Sequence, residues 1–126
     1  VNAVVVVDAS ALAAVVFCEA GSERIAERLE GVTLCAPSLL KFELANAAVT
    51  KARRQPKTAL EIFAALAIAI DDRADIVWHD VPSTDVALMA QATGLSAYDA
   101  SYLWLAGFLD AELVTLDKKL AAALEA

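Results

Sequence analysis

The fold class this sequence predicts is an α/β sandwich, with helices on both faces of a mostly parallel sheet, and three observations carry it. The first is "VVVV" at residues 4–7, too short and too β-branched for a helix, because Val packs well on a pleated surface and loses rotamer freedom in a helical turn. The second is that the run is apolar at every position rather than every second one, which marks a central strand covered on both faces. The third is alternation: short apolar strands take turns with segments of helical spacing along the chain. A three-layer α/β/α arrangement around a four-stranded parallel sheet follows.

After the first strand, "SALAAVVFCEA" reads as a helix that stops near Gly21, and the amphipathic "SERIAERLE" as a second that stops at Gly31. "VTLCAP" is the second strand. "SLLKFELANAAVTKARR" has helical spacing with a serine at its start, and Pro56 opens a further helix, "KTALEIFAALAIAIDD", so the pair forms a helical hairpin. "DIVWHDV" is the third strand, "STDVALMAQATG" a helix closed by Gly94, and "SAYDASYLWLAGFLDA" another helix. "ELVTLD" is the fourth strand and "KKLAAALEA" the closing helix. Internal repeats, low-complexity tracts and linkers are missing from this pattern.

A length of 126 residues suits one domain, 1–126, with a core of its own. A hydrophobic content of 60%, much of it alanine, suits closely packed helices and leaves apolar surface for a subunit interface. The longest apolar runs, "ASALAAVVFC" and "IFAALAIAI", fall short of the roughly 20 residues that span a bilayer. Asp8 interrupts the first apolar stretch and no basic segment precedes it, unlike a signal peptide, so the cytoplasm is expected and no membrane partner. Cys18 and Cys35 lie in apolar sequence without metal-ligand spacing and read as small hydrophobes in a reducing compartment. His79 has no second His or Cys near it to build a zinc site and is expected at a strand end or on the surface.

A net charge of −7 argues against broad attraction to nucleic acid. Bound divalent cations would cancel part of it locally. The basic residues are also unevenly placed: Lys41, Lys51, Arg53, Arg54 and Lys57 are five of the ten. That cluster reads either as a solvated helix end that complements the dipole or as an RNA contact through Lys51, Arg53 and Arg54.

Four acids stand out. Asp8 follows an apolar strand, and ligands of parallel sheets bind outside the strands' carboxyl ends; it also suits a helix cap. Glu43 has Leu39, Leu40, Asn46 and Ala47 as its helical neighbours. It therefore interrupts an apolar stripe without a basic partner, and burying it alone is costly. A hydrogen bond through Asn46 is its ordinary structural explanation. Asp99 fits an S-x-x-D capping box with Ser96, and Asp117 follows the fourth strand and can cap the last helix, with Thr115 beside it. Locally each has an excuse. Jointly, the topology brings all of them to one rim, where like charges raise one another's pKa unless a cation joins them. Oxygen ligands select Mg²⁺ or Mn²⁺ over zinc, and such an ion polarises a phosphoryl oxygen and activates water.

At these residues the sequence resembles the PIN domains, and among them the VapC-type toxins of toxin–antitoxin pairs. The likeness is carried by "VVDASAL", "APSLLKFELANA", "GLSAYDASYLWLA" and "LVTLDKKL", in the family's order and spacing. It implies a PIN-like sheet of four or five strands and a metal-dependent endoribonuclease leaving a 5′-phosphate and a 3′-hydroxyl. Asp8 and Asp99 match the family's firmest metal ligands, Asp117 a third, and Glu43 the acid that positions or deprotonates water. Ser10, Asn46 and Thr115 match polar residues that orient those acids. The cofactor implied is Mg²⁺, with Mn²⁺ able to substitute. The partners implied are an RNA substrate, a second copy of the chain, and a cognate VapB-like antitoxin whose arginine enters the acidic pocket. Many relatives carry a fifth strand after the closing helix, where this sequence reads "LAAALEA".

Other classes fit less well. A PIN-like module that binds RNA or protein without cutting has no need of the complete acid set. A haloacid-dehalogenase-like phosphatase requires a second aspartate where Ser10 stands, and a receiver-type domain requires an adjacent acid pair after the first strand.

Overall fold

The computed structural model describes residues 3–72 and 75–125. Four parallel strands form its sheet: β1 (Val4–Val7), β2 (Thr33–Pro37), β3 (Ile76–His79) and β4 (Glu112–Val114). Their order is β3-β2-β1-β4. The valine run is thus an interior strand, with Val5 and Val6 in register against Leu34 and Cys35 on one side and Glu112 and Leu113 on the other. Burial on both faces explains its lack of alternation: Val5, Val6 and Val7 are all buried.

Helices fill the connections. These are α1 (Ala9–Val16), α2 (Ser22–Arg28), α3 (Leu40–Arg54), α4 (Ala59–Ala67), α5 (Ser83–Thr93), α6 (Ala97–Leu109) and α7 (Lys118–Glu125). The chain steps from β1 to β2 to β3 in one direction and then crosses back past β1 to β4. Right-handed crossovers therefore put the earlier and later helices on opposite faces. In agreement, α1 packs on α2 and α3, and α3 on α4, while α5 and α7 pack on α6, which lies against β1, β2 and β4. The direction reverses between β1 and β4, so their carboxyl ends open a crevice. Leu40 and Leu44 of α3, Leu105 of α6 and Leu120 of α7 join the valines in the core.

Several boundaries differ from the sequence reading. The first helix ends at Val16, not near Gly21, because Cys18 takes a left-handed conformation with φ of 53°. The Glu19 amide then bonds the Ala14 carbonyl at 2.8 Å and the Cys18 amide the Val15 carbonyl at 3.4 Å, which closes the helix in a Schellman turn. Cys18 is consequently exposed, contrary to the apolar setting expected for it, whereas Cys35 is buried in β2. The expected helix from Pro56 onward is divided into a 3₁₀ turn (Pro56–Thr58), α4 and a wide π turn (Ile68–Asp72). Ser38 does not cap α3; its hydroxyl donates to Asp80 at 3.1 Å. No helix among the described residues is long and apolar enough to cross a membrane.

Candidate active site

Asp8 is 4% exposed at the carboxyl end of β1, and its surroundings are built to receive a carboxylate. One oxygen accepts the Ala11 amide at 3.0 Å, capping α1, and the Ser10 hydroxyl at 2.7 Å. The other accepts the hydroxyl of Thr115, just past β4. The lattice continues outward, since the Leu116 amide donates to Ser10 Oγ and the Asp117 amide to Thr115 Oγ1, both at 2.9 Å. Ser10 and Thr115 thus tie the ends of β1 and β4 together across the crevice. Both readings of Asp8 hold at once: it caps a helix and it stands at the strand switch.

Glu43 sits in the first turn of α3, half-buried, and the hydroxyl of Tyr102 donates to its Oε1. The explanation through Asn46 does not hold: Asn46 is exposed and, among the described residues, takes no part in the hydrogen bonds around the acids. Tyr102, 1% exposed on α6, is the residue that sequence reasoning missed. Its signal was its place three residues after Asp99, one turn along the same helix.

Asp99 and Asp117 occupy helix starts. The Asp99 amide donates to Ser96 Oγ at 3.1 Å, making Ser96 the cap of α6, and Asp117 Oδ1 accepts the Leu120 amide at 2.9 Å over the first turn of α7. Both are half-buried and face the same crevice edge as Asp8.

The electrostatics show how close these groups are. Burial pushes the Asp8 carboxyl above its ordinary value, against the pull of bonds from Thr115, Ala11 and Ser10, and Asp117 pushes it further up. Burial also raises Glu43; the Tyr102 bond opposes this, and the Asp99 and Asp8 charges reinforce it. Asp99 is raised by burial and by Asp117 and Asp8, with Lys119 and Ser96 pulling the other way. Asp8 and Asp99 therefore each interact with the other three acids, which links Glu43 on one side to Asp117 on the other. The ion pairs among the described residues, Arg28–Glu112 and Lys51–Glu19, lie elsewhere, so Lys119 is the cation that touches this field.

Carboxylate and hydroxyl oxygens in a mutually repelling group fit a hard divalent cation by donor chemistry. The fit is one of chemistry and position rather than of a finished cage. Among the described residues no three His, Cys, Asp or Glu side chains are gathered tightly enough to hold an ion as they stand.

Other expected residues are not brought to this crevice. Lys51 Nζ is engaged by Glu19 at 3.1 Å. Arg53 and Arg54 are exposed at the far end of α3; at a rise of about 1.5 Å per residue, Arg54 stands about 16 Å further along the axis than Glu43. His79 ends β3 as expected, and its Nε2 is buried without a partner among the described residues. A groove lined by Glu19, Gly21, Ser22, Glu23, Arg24, Ile25, Glu27 and Leu116 adjoins the crevice through Leu116, whose amide bonds Ser10.

Comparison with known proteins agrees with this architecture. The PIN domain family matches residues 5–124. The crystal structure of PAE2754 from Pyrobaculum aerophilum superposes with a TM-score of 0.77 and 28% identity, covering 98% of this chain and 87% of that one. Mycobacterium tuberculosis VapC20, described as a sarcin–ricin loop cleaving toxin, superposes with a TM-score of 0.67 over 94% of each chain at 16% identity, a likeness of fold. No curated protein matches by sequence. With the family match running over nearly its whole length and the fold shared, the chain belongs to the PIN-domain family.

Proposed function

We propose that this chain is a divalent-metal-dependent endoribonuclease, using Mg²⁺ with Mn²⁺ as a substitute, and the cytoplasmic toxin of a VapBC-type pair. One observation carries the reading: Asp8, buried at the strand switch, shares its field with Glu43, Asp99 and Asp117, and among the described residues no arginine neutralises them. PIN domains are in general nucleases, so this chemistry has a natural use. The toxin role rests on the motifs around the acids and on the fold shared with VapC20.

Asp8, Asp99 and Asp117 would hold the cation, which supplies a Lewis acid for a phosphoryl oxygen and a lowered pKa for water. Ser10 and Thr115 fix both oxygens of Asp8, as groups behind metal ligands commonly do. Glu43 takes the proton of the attacking water; its raised pKa makes it a stronger base than an exposed glutamate. Attack on phosphorus in line with O3′ breaks the P–O3′ bond and leaves a 5′-phosphate and a 3′-hydroxyl.

The partners follow from surface chemistry. The groove beside the crevice sets Glu19, Glu23 and Glu27 against one basic residue, Arg24, with apolar Leu116 at its edge, and suits a basic, partly apolar antitoxin segment that leads an arginine into the acids. Phe42, Leu60, Leu88 and Phe108 are exposed apolar side chains available to a second copy of the chain. Arg53 and Arg54 are available to RNA phosphates beyond the crevice.

A non-cutting module is favoured by one observation, the carboxylates' lack of a finished cage. Incubation of the purified chain with total RNA separates the two readings. Metal-dependent fragments with 5′-phosphates are expected from the wild type, none from Asp8→Asn and only a small residual yield from Glu43→Gln. Binding without cleavage, or equal cleavage by Asp8→Asn, would overturn the nuclease reading.

A further inference from the structure

We propose that Tyr102 is a positioning residue for the reaction: its hydroxyl holds Oε1 of Glu43 so that the other carboxylate oxygen stays turned to the proton it accepts. This rests on the reading of Glu43 as the base. A glutamate side chain has three rotatable bonds, and the charges of Asp8 and Asp99 both repel this one, favouring rotamers that swing out to water. The Tyr102 ring is 1% exposed and packed in the core, so its hydroxyl is a fixed donor. Burial and the adjacent Glu43 push the phenol far above its ordinary range, which keeps it a donor at every working pH. The bond also joins helices from the two sides of the sheet. Glu43 arrives on α3 and Tyr102 on α6, and Tyr102 follows Asp99 by three residues on one helix. A single rigid element therefore sets a metal-binding acid directly and the base at second hand. A buried tyrosine also needs a partner for its hydroxyl, and that purely structural role is what the test must separate.

Tyr102→Phe keeps the ring and removes the donor. Single-turnover cleavage of a defined RNA is measured for the wild type, Tyr102→Phe, Glu43→Gln and the double variant, beside thermal melting and RNA affinity. The expected result for Tyr102→Phe is a rate lower by about 10- to 100-fold, the scale of lost catalytic orientation, with RNA affinity and melting near wild type. On the residual rate of Glu43→Gln it should cost nothing more. Carbon-13 NMR of the ion-free chain gives a readout apart from activity: the Glu43 carboxyl, faced by Tyr102, Asp99 and Asp8, should titrate at higher pH once the donor is gone. A wild-type rate in Tyr102→Phe, an equal loss in both backgrounds, or an unmoved Glu43 titration would each overturn the proposal. If Glu43→Gln is inactive while Tyr102→Phe cleaves normally, this inference alone fails. If Glu43→Gln cleaves normally, the reading of the base fails and takes this one with it.

Discussion

Asp8 meets two demands with one side chain, since one oxygen caps α1 and the other is held by Thr115 from the opposite lip of the crevice. Asparagine can satisfy the cap and alanine cannot, so Asp8→Asn is expected to exceed Asp8→Ala in unfolding free energy by about 1 kcal/mol, measured by urea denaturation. Equal stability would remove the cap from the account. At this scale the sequence was informative where a residue broke its local rule. Asp8 ends an all-apolar strand and Glu43 interrupts an apolar stripe, and each exception was visible within a few positions. Tyr102 broke no local rule, because a tyrosine in an apolar helix is ordinary. Its role exists through Glu43, on a different helix and far away in the chain.

Among the elements, strand and helix identity was legible and helix ends were not. The alternation of strands with helices, Gly94 closing α5 with φ of 75°, and Ser96 capping α6 are all local events and appear as expected. The end of α1 was hidden because its left-handed residue is a cysteine instead of the glycine that usually signals such a turn. Asp110 closes α6 in the same way, its amide bonding Gly107 at 3.2 Å and that of Ala111 bonding Ala106 at 2.9 Å. The third helix decides which basic residues remain open to RNA. Lys51 is spent on Glu19, while Arg53 and Arg54 are exposed. Arg53→Ala with Arg54→Ala is therefore expected to weaken RNA binding and to lower its salt dependence, leaving the single-turnover rate unchanged; filter binding across a salt series is the check. Unchanged affinity at low salt would return these residues to the role of a solvated helix end.

For the whole molecule, the reversal of strand order between β1 and β4 makes the crevice, and the raised carboxyls there oppose folding at neutral pH. Ordinary values are 3.8 for Asp and 4.5 for Glu. Where the folded value is higher, the folded chain holds more protons than the unfolded one between the two. The contribution of Asp8, Asp99 and Glu43 to stability is then full below the ordinary values and is lost as pH rises through the folded ones. Asp8→Asn removes one such group, so in ion-free buffer its stability relative to wild type is expected to grow as pH rises from 4 toward neutrality, on the order-of-magnitude scale of carboxyl linkage. Denaturant midpoints at a series of pH values test this, and a difference that does not change with pH would contradict it.

The central claim is that carboxylates from β1, α6 and the start of α7 act together as the seat of one divalent cation, and calorimetric titration with Mn²⁺ tests it most directly. Saturable binding by the wild type, abolished by Asp8→Asn and equally by Asp99→Asn although the two stand on different elements, is the result expected. Binding that survives both substitutions, or none in the wild type, would contradict it.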